Sequence, residues 1–141
     1  MREEIANIDP QQEIFSRVKI DVEAQGKAVY DGFLPPEDTP YPFVYMGECR
    51  QSDQSTKGAT IGRVYQTIHL WHDNPHKRGT VSAMLAEIKA ACRAIKRTDH
   101  FAWRVVKIES NIIPDTSTAS TNTSTKTPLL HGYVYIEWAF S

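Results

Sequence analysis

The stretch VYQTIHLWHDNPHKRGT, residues 64–80, decides how the chain is read. It carries His69, His72 and His76, three of the five histidines, with Asp73 beside them. On a helix, residues three and seven apart share a face, and three imidazoles on one face are enough ligands for zinc. The residue types argue against that. VYQTIHLW is dominated by β-branched and aromatic side chains and has no apolar repeat at helical spacing. Successive side chains of a strand alternate faces, so His69 and His72, an odd number of residues apart, point to opposite sides. His76 follows Pro75, beyond the strand. The stretch therefore predicts a strand running out, a turn at Asn74-Pro75 and the start of a helix, with no metal site.

Working outward, the helix that follows is set by Val81, Met84, Leu85, Ile88, Cys92 and Ile95. They repeat at i, i+3, i+4 and i+7 and span about 100° of the wheel, which predicts a helix from Asn74-Pro75 to Lys96-Arg97. Near the start of the chain, Asp9 is a good N-cap, Pro10 suits the first helical position and Gln12 completes a capping-box pattern. A first helix is expected over 10–25, with Ile14, Phe15, Val18 and Val22 on its apolar arc, Ile20 off it, and Gly26 as its stop.

KAVYDGFLPPEDTPYP (27–42) reads as a proline-rich connector with room for a short edge strand at Val29-Tyr30. FVYMGEC (43–49) is a strand, RQSDQSTKGAT (50–60) a polar, mobile loop, and IGRVYQTIHLWH (61–72) a longer strand. FAWRVVKIE (101–109) and HGYVYIEWAF (131–140) are two more. Between those two, DTSTASTNTSTKT (115–127) has one alanine as its only apolar residue and is expected to be a mobile loop. The order α-β-β-α-β-β predicts an α+β fold: a mostly antiparallel four-stranded sheet with two helices on one face, in a single domain over 1–141.

Composition excludes several function classes. A chain of 141 residues with 40% hydrophobic content suits one domain with its own core. Cys49 and Cys92 do not make a disulfide framework. The first thirty residues lack an apolar signal-peptide core, and no run approaches the roughly 20 apolar residues of a membrane span. A soluble, intracellular protein is expected, so the Asn122-Thr123-Ser124 sequon is expected to be silent. There is no G-x-S-x-G elbow, Walker loop or G-x-G-x-x-G turn. Cys92 lies on an apolar helical stripe, Cys49 has no evident activating base, and no carboxylate pair has diagnostic spacing. The reading is of no enzyme and no cofactor.

Two surface features remain. Arg78, Lys89, Arg93, Lys96 and Arg97 form a basic flank on the second helix. A nucleic-acid-binding module could use such a flank, but a net charge of −1 favours a solvated helix side. The aromatics say more. If Val134, Ile136, Trp138 and Phe140 face the helices, Tyr133 and Tyr135 face away. Val64, Ile68 and Leu70 oppose Tyr65 and Trp71 in the same manner, and in the third strand Val106 and Ile108 oppose Trp103 and Val105. Two helices cover only one face of a sheet, so an aromatic face is left over. Monomers rarely leave such a patch bare, which predicts packing on another subunit.

QEIFSRVKIDVEAQGKAVYDGFLPPEDTPYPFVYMGE (12–48) resembles the opening of the tail-completion, or tail terminator, proteins of long-tailed bacteriophages and prophages. The shared pattern is a short helix, a V-Y-D-G turn, a proline connector and Y-P-[YF]-V-x-x-G-E. The STK segment (55–57), IHLWH before an amphipathic helix, and the closing HGYVYIEWAF fit it too. The STASTNTSTK segment (117–126) is longer than the family pattern. The resemblance implies a structural virion protein with no cofactor that caps the tail tube as a ring, typically hexameric, and joins the head's connector. The free chain is then expected to be a monomer or weak oligomer in the host cytoplasm. Another neck or tail ring component is the nearest rival reading. Candidate contacts are Ser55, Thr56 and Lys57, the 115–127 segment, and Tyr65, Trp71, Tyr133 and Tyr135. Tail tube protein and head connector are the implied partners, without membrane or specific nucleic acid.

Overall fold

Asp9 opens the first element as its sequence predicts: its carboxylate accepts the Gln12 backbone N–H at 3.3 Å, with Pro10 in the first turn. Helix α1 spans Pro10–Glu23 and buries Ile14, Val18 and Val22, with Phe15 partly buried beside them and Ile20 60% exposed. The capping box forms only halfway, because the Gln12 side chain donates to Ser16 Oγ at 2.9 Å instead of reaching back. The protein is described here by a computed structural model covering residues 8–56, 58–115 and 129–141. Lys57 and residues 116–127 of the polar segment lie outside the described residues.

Five strands form one sheet: β1 (Val29–Asp31), β2 (Phe43–Thr56), β3 (Ala59–His72), β4 (Trp103–Asp115) and β5 (Leu129–Phe140), in the order β1-β2-β3-β5-β4. β1 runs parallel to β2, and every other pair is antiparallel. The expected α+β class holds, but the sheet has five strands rather than four because the short edge strand at Val29 joins it.

The stretch 50–60 is not a loop. β2 and β3 continue their ladder through Ser55↔Thr60 to Thr56↔Ala59, and the hairpin closes with Gly58 at φ 76°. Its polarity has a physical reason. β5 ends its pairing at Gly62↔Phe140, so the last residues of the hairpin run past the rest of the sheet. Ladder hydrogen bonds hold a strand there without an apolar face to guide it.

β4 runs from Trp103 to Asp115, later and longer than 101–109. A bulge between Val105 and Lys107 adds one residue and resets its parity. Trp103, Val105 and Ile108 all join or pack on the core, while Val106 is 37% exposed. Strict alternation, which set Val106 with Ile108, fails for that reason. Helix α2 spans Arg78–Ala94, with Lys77 as an N-cap that makes no side-chain capping bond. Asn74 caps the preceding turn instead: its Oδ1 accepts the His76 N–H at 2.9 Å and its carbonyl the Lys77 N–H at 3.0 Å.

Both helices pack on one sheet face. Val81, Leu85, Ile88 and Cys92 of α2 and the α1 arc meet Val64, Ile68 and Leu70 of β3 and Val134, Ile136, Trp138 and Phe140 of β5. Within this apolar layer the Trp138 Nε1–H donates to Gln66 Oε1 at 3.1 Å, and both side chains are fully buried.

Glu13 fastens α1 to the turn after α2. Its carboxylate accepts Thr98 Oγ1 at 2.6 Å, the His100 N–H at 3.1 Å and His100 Nδ1 at 2.5 Å, while Thr98 Oγ1 accepts the Trp103 indole N–H at 2.8 Å. Burial pushes the Glu13 carboxyl up, but the bonds from Thr98 and His100 outweigh it and hold the group below its ordinary 4.5. A depressed carboxyl contributes stability that is full above 4.5 and lost as pH falls through the lower folded value. Glu13→Gln is expected to cost about 1.5–3 kcal/mol at neutral pH, the usual worth of hydrogen bonds to a charged group. Urea melts should show that difference shrinking as pH falls below 4.5.

Candidate assembly interface

The sheet face away from the helices is assembled by parity. β3 contributes Tyr65, Thr67, His69 and Trp71, and β5 contributes His131, Tyr133, Tyr135 and Glu137. The ladder sets Trp71 beside His131, His69 beside Tyr133, Thr67 beside Tyr135 and Tyr65 beside Glu137. β2 extends the row, with Tyr45 opposite His69 and Arg50 opposite Tyr65. Four residues expected here from sequence, Tyr65, Trp71, Tyr133 and Tyr135, do share this face. Ser55 and Thr56 do not join them; they lie in the far end of the β2–β3 hairpin, and Lys57 is outside the described residues.

The rings cover one another. Trp71 stacks on His131 with centroids 4.0 Å apart and planes 5° from parallel, and His69 stacks on His131 at 5.0 Å. His69 Nδ1 and His131 Nε2 are 2.7 Å apart, a hydrogen bond whose donor depends on the tautomers. Tyr45 flanks His69 at 6.3 Å and Tyr133 flanks His131 at 6.2 Å. The Arg50 guanidinium lies 4.0 Å over the Tyr65 ring, a cation–π contact. Burial, then the neighbouring Glu137 carboxylate, raises the Tyr135 phenol, so it stays a neutral hydrogen-bonding group.

Gly47 makes room for this stack. A Cβ there would fall 2.7 Å from the His69 ring and 3.0 Å from the Thr67 carbonyl. Gly47 lies at the irregularity of β2 between Met46 and Cys49, where the imidazole can lie against bare backbone. Sequence parity placed His69 beside Trp71 but missed its pairing with His131. His131 shares the parity of Tyr133 and Tyr135, and that signal becomes readable only once the β3–β5 register is known.

The other candidates separate. His72 Nδ1 accepts the Asn74 N–H at 3.1 Å and lies 3.4 Å from Asp73, and His76 is exposed. Among the described residues, no three His, Cys, Asp or Glu side chains converge as a metal set. Burial pushes the Cys49 thiol up to about 11 and the Cys92 thiol to about 12, far from the reactive thiolate range. Of the basic flank, Lys89 bonds Ser110 Oγ at 2.9 Å and Arg78 bonds the Ile112 carbonyl at 3.4 Å, so part of it ties α2 to β4.

Burial holds His69 below its ordinary 6.5, against a smaller opposing pull from Glu48. A histidine depressed in the folded state contributes stability that is full above 6.5 and lost as pH falls through its folded value. NMR titration should place the His69 midpoint below 6.5, and His69→Gln should flatten the loss of stability between neutral and mildly acid pH.

The sequence matches the family described as "Tail completion protein gp17" over residues 12–123. No curated protein sequence matches. Among solved structures, a chain of the "Virion of native gene transfer agent (GTA) particle" aligns with a TM-score of 0.56 at 14% identity, covering 94% of this chain and 95% of that chain. At that identity the likeness shows the fold alone. Since the family match spans most of its length, the chain belongs to the tail completion proteins, a family of structural tail proteins.

Proposed function

We propose that the protein caps the finished tail tube as a ring and makes the joint with the connector, or stopper, at the head. The ring is hexameric when assembled, and the free chain is a monomer or weak oligomer in the host cytoplasm. The work is shape-complementary packing, with no cofactor, membrane or specific nucleic acid. Membership in the tail completion family supports the setting. The observation that carries the reading is the open aromatic face. Trp71, His131, His69 and Tyr133 form a contiguous row of rings on the side that neither helix covers, with Tyr65 further along β3 on the same face. Aromatic side chains dominate interface energetics because they bury much area with little loss of freedom.

In this reading the row packs on a neighbouring subunit. The far end of the β2–β3 hairpin, with Ser55 and Thr56, is the proposed contact with the tail tube or the connector; Lys57 and the 116–127 segment, outside the described residues, are proposed as further contacts from the sequence alone.

Electron microscopy of labelled protein mixed with purified tails tests the proposal. Label is expected at one end of each tube. Coating along the tube, or no association, would sink the reading. Tyr133→Asp and Trp71→Asp should each lower end occupancy at least about tenfold, the effect of losing roughly 1.4 kcal/mol of binding.

A further inference from the structure

The whole-chain charge of −1 conceals a separation of charge. On the α1 side the cations are matched: Arg17 pairs with Asp21 at 3.0 Å, Lys19 with Asp31 at 2.9 Å and Lys27 with Glu87 at 2.8 Å. On the β4 side they are not. Lys89 bonds the neutral Ser110 Oγ at 2.9 Å and Arg78 the Ile112 carbonyl at 3.4 Å, which sets this flank of α2 against β4. Arg93 follows Lys89 by one turn on the same flank.

Past the helix the chain turns back along the outer edge of β4. The Lys96 carbonyl accepts the Trp103 N–H at 2.8 Å, and Arg97 pairs with Ala102. Arg104 lies two residues beyond Ala102, so its side chain leaves the strand on the same side as that of Arg97. Helix and strand thus bring Arg78, Lys89, Arg93, Lys96, Arg97 and Arg104 to one edge of the molecule. None of the six pairs with a carboxylate among the described residues. The carboxylates nearest in sequence are engaged elsewhere: Asp99 lines the hollow beside α1, and Glu109 pairs with Lys107 at 2.8 Å.

The chemistry of this edge narrows the partner. A protein interface needs an apolar centre and is depleted in lysine. Here the exposed apolar side chains of β4, Val106 and Ile113, stand seven residues apart, roughly 23 Å along a strand, and form no centre. From Arg78 to Arg93 the cations run roughly 22 Å along α2 at 1.5 Å per residue. Duplex DNA presents a negative charge about every 1.7 Å of its axis, so a stripe of this length faces several phosphates at once.

We infer that the edge formed by α2 and β4 is a docking surface for the phosphate backbone of duplex DNA. Contacts of this kind position a duplex and read no sequence. Affinity comes from release of the counterions that the phosphates held. The surface is an edge, separate from the aromatic sheet face, so this inference stands apart from the ring reading.

Fluorescence anisotropy of the full chain with a random-sequence duplex of about 20 base pairs tests it. Six phosphate contacts predict a slope of about −5 for log affinity against log salt, a loss of roughly 1,000-fold between about 50 and 200 mM. Arg93→Gln and Arg104→Gln should each flatten that slope by about 0.9. Both side chains are exposed, so the thermal midpoint should stay at the wild-type value. Lys19→Gln, on the matched side, should leave the slope unchanged. Absence of binding at about 50 mM salt, a slope that neither arginine variant alters, or tighter capture of polyglutamate than of the duplex would overturn the inference.

Discussion

The register between β3 and β5 is the constraint on which the rest of the structure depends. The two strands pair from Gly62↔Phe140 to His72↔Leu130 without a break. A slip of one residue would turn every side chain of one strand to the other face. In the native register, Val64, Ile68 and Leu70 enter the core with Val134, Ile136 and Trp138, and the tyrosines, histidines and Trp71 turn outward. Apolar packing alone tolerates some disorder of position, but a directional bond does not. The Trp138 indole N–H reaches its acceptor, Gln66 Oε1, only when the strands stand in this relation. A slipped register would bury the donor unpaired, at a cost of about 1–3 kcal/mol. The Gln66 Nε2 has no partner among the described residues, so the interior carries a polar group that serves position more than stability.

Much of this was legible in the sequence because parity is a local property. VYQTIHLW and HGYVYIEW each state which residues go in and which go out, and α2 states its buried stripe through Val81, Leu85, Ile88 and Cys92. What the sequence could not state is anything set by contact between segments. The bulge at Val105–Lys107 costs one residue of phase and leaves no mark in composition, so strict alternation sets Val106 with Ile108, whereas Ile108 packs on the core and Val106 lies exposed. RQSDQSTKGAT looked like a loop because it is polar, yet polarity marks only the lack of a covering layer. Its one usable cue was Gly58 between segments of matched length. The aromatic face was foreseen as a surplus, but the His69–His131 bond needed the register, and the bare backbone at Gly47 needed the shape of β2.

That face also shows how a row of aromatic rings can be kept ordered on a free chain. A row of separate aromatic rings would be a liability on a free chain. Here Trp71, His131 and His69 stack on one another, Arg50 lies over Tyr65, and Tyr45 spends its hydroxyl on the Gly32 carbonyl. Each ring is partly covered by the next, and none is fully exposed. The same mutual contacts hold the rings in fixed positions, so a partner meeting the face need not order them first. Pre-ordering of this kind lowers the entropic cost of docking.

Front and back of the subunit differ in kind, and this bears on how copies can join. The front offers aromatic rings with polar edges, and the back offers two amphipathic helices with a pocket beside Ile20. A two-fold contact would have to match a patch with itself. Front on front would oppose Arg50 with its own copy and set two histidine pairs face to face. Back on back would press two helix layers together and leave both aromatic rows bare. Front on back avoids both faults, because each copy then gives one surface and receives the other. Such a contact does not stop at two copies; it continues until the rotation closes. The proposed ring would therefore use the one arrangement, front on back, that two unlike faces allow.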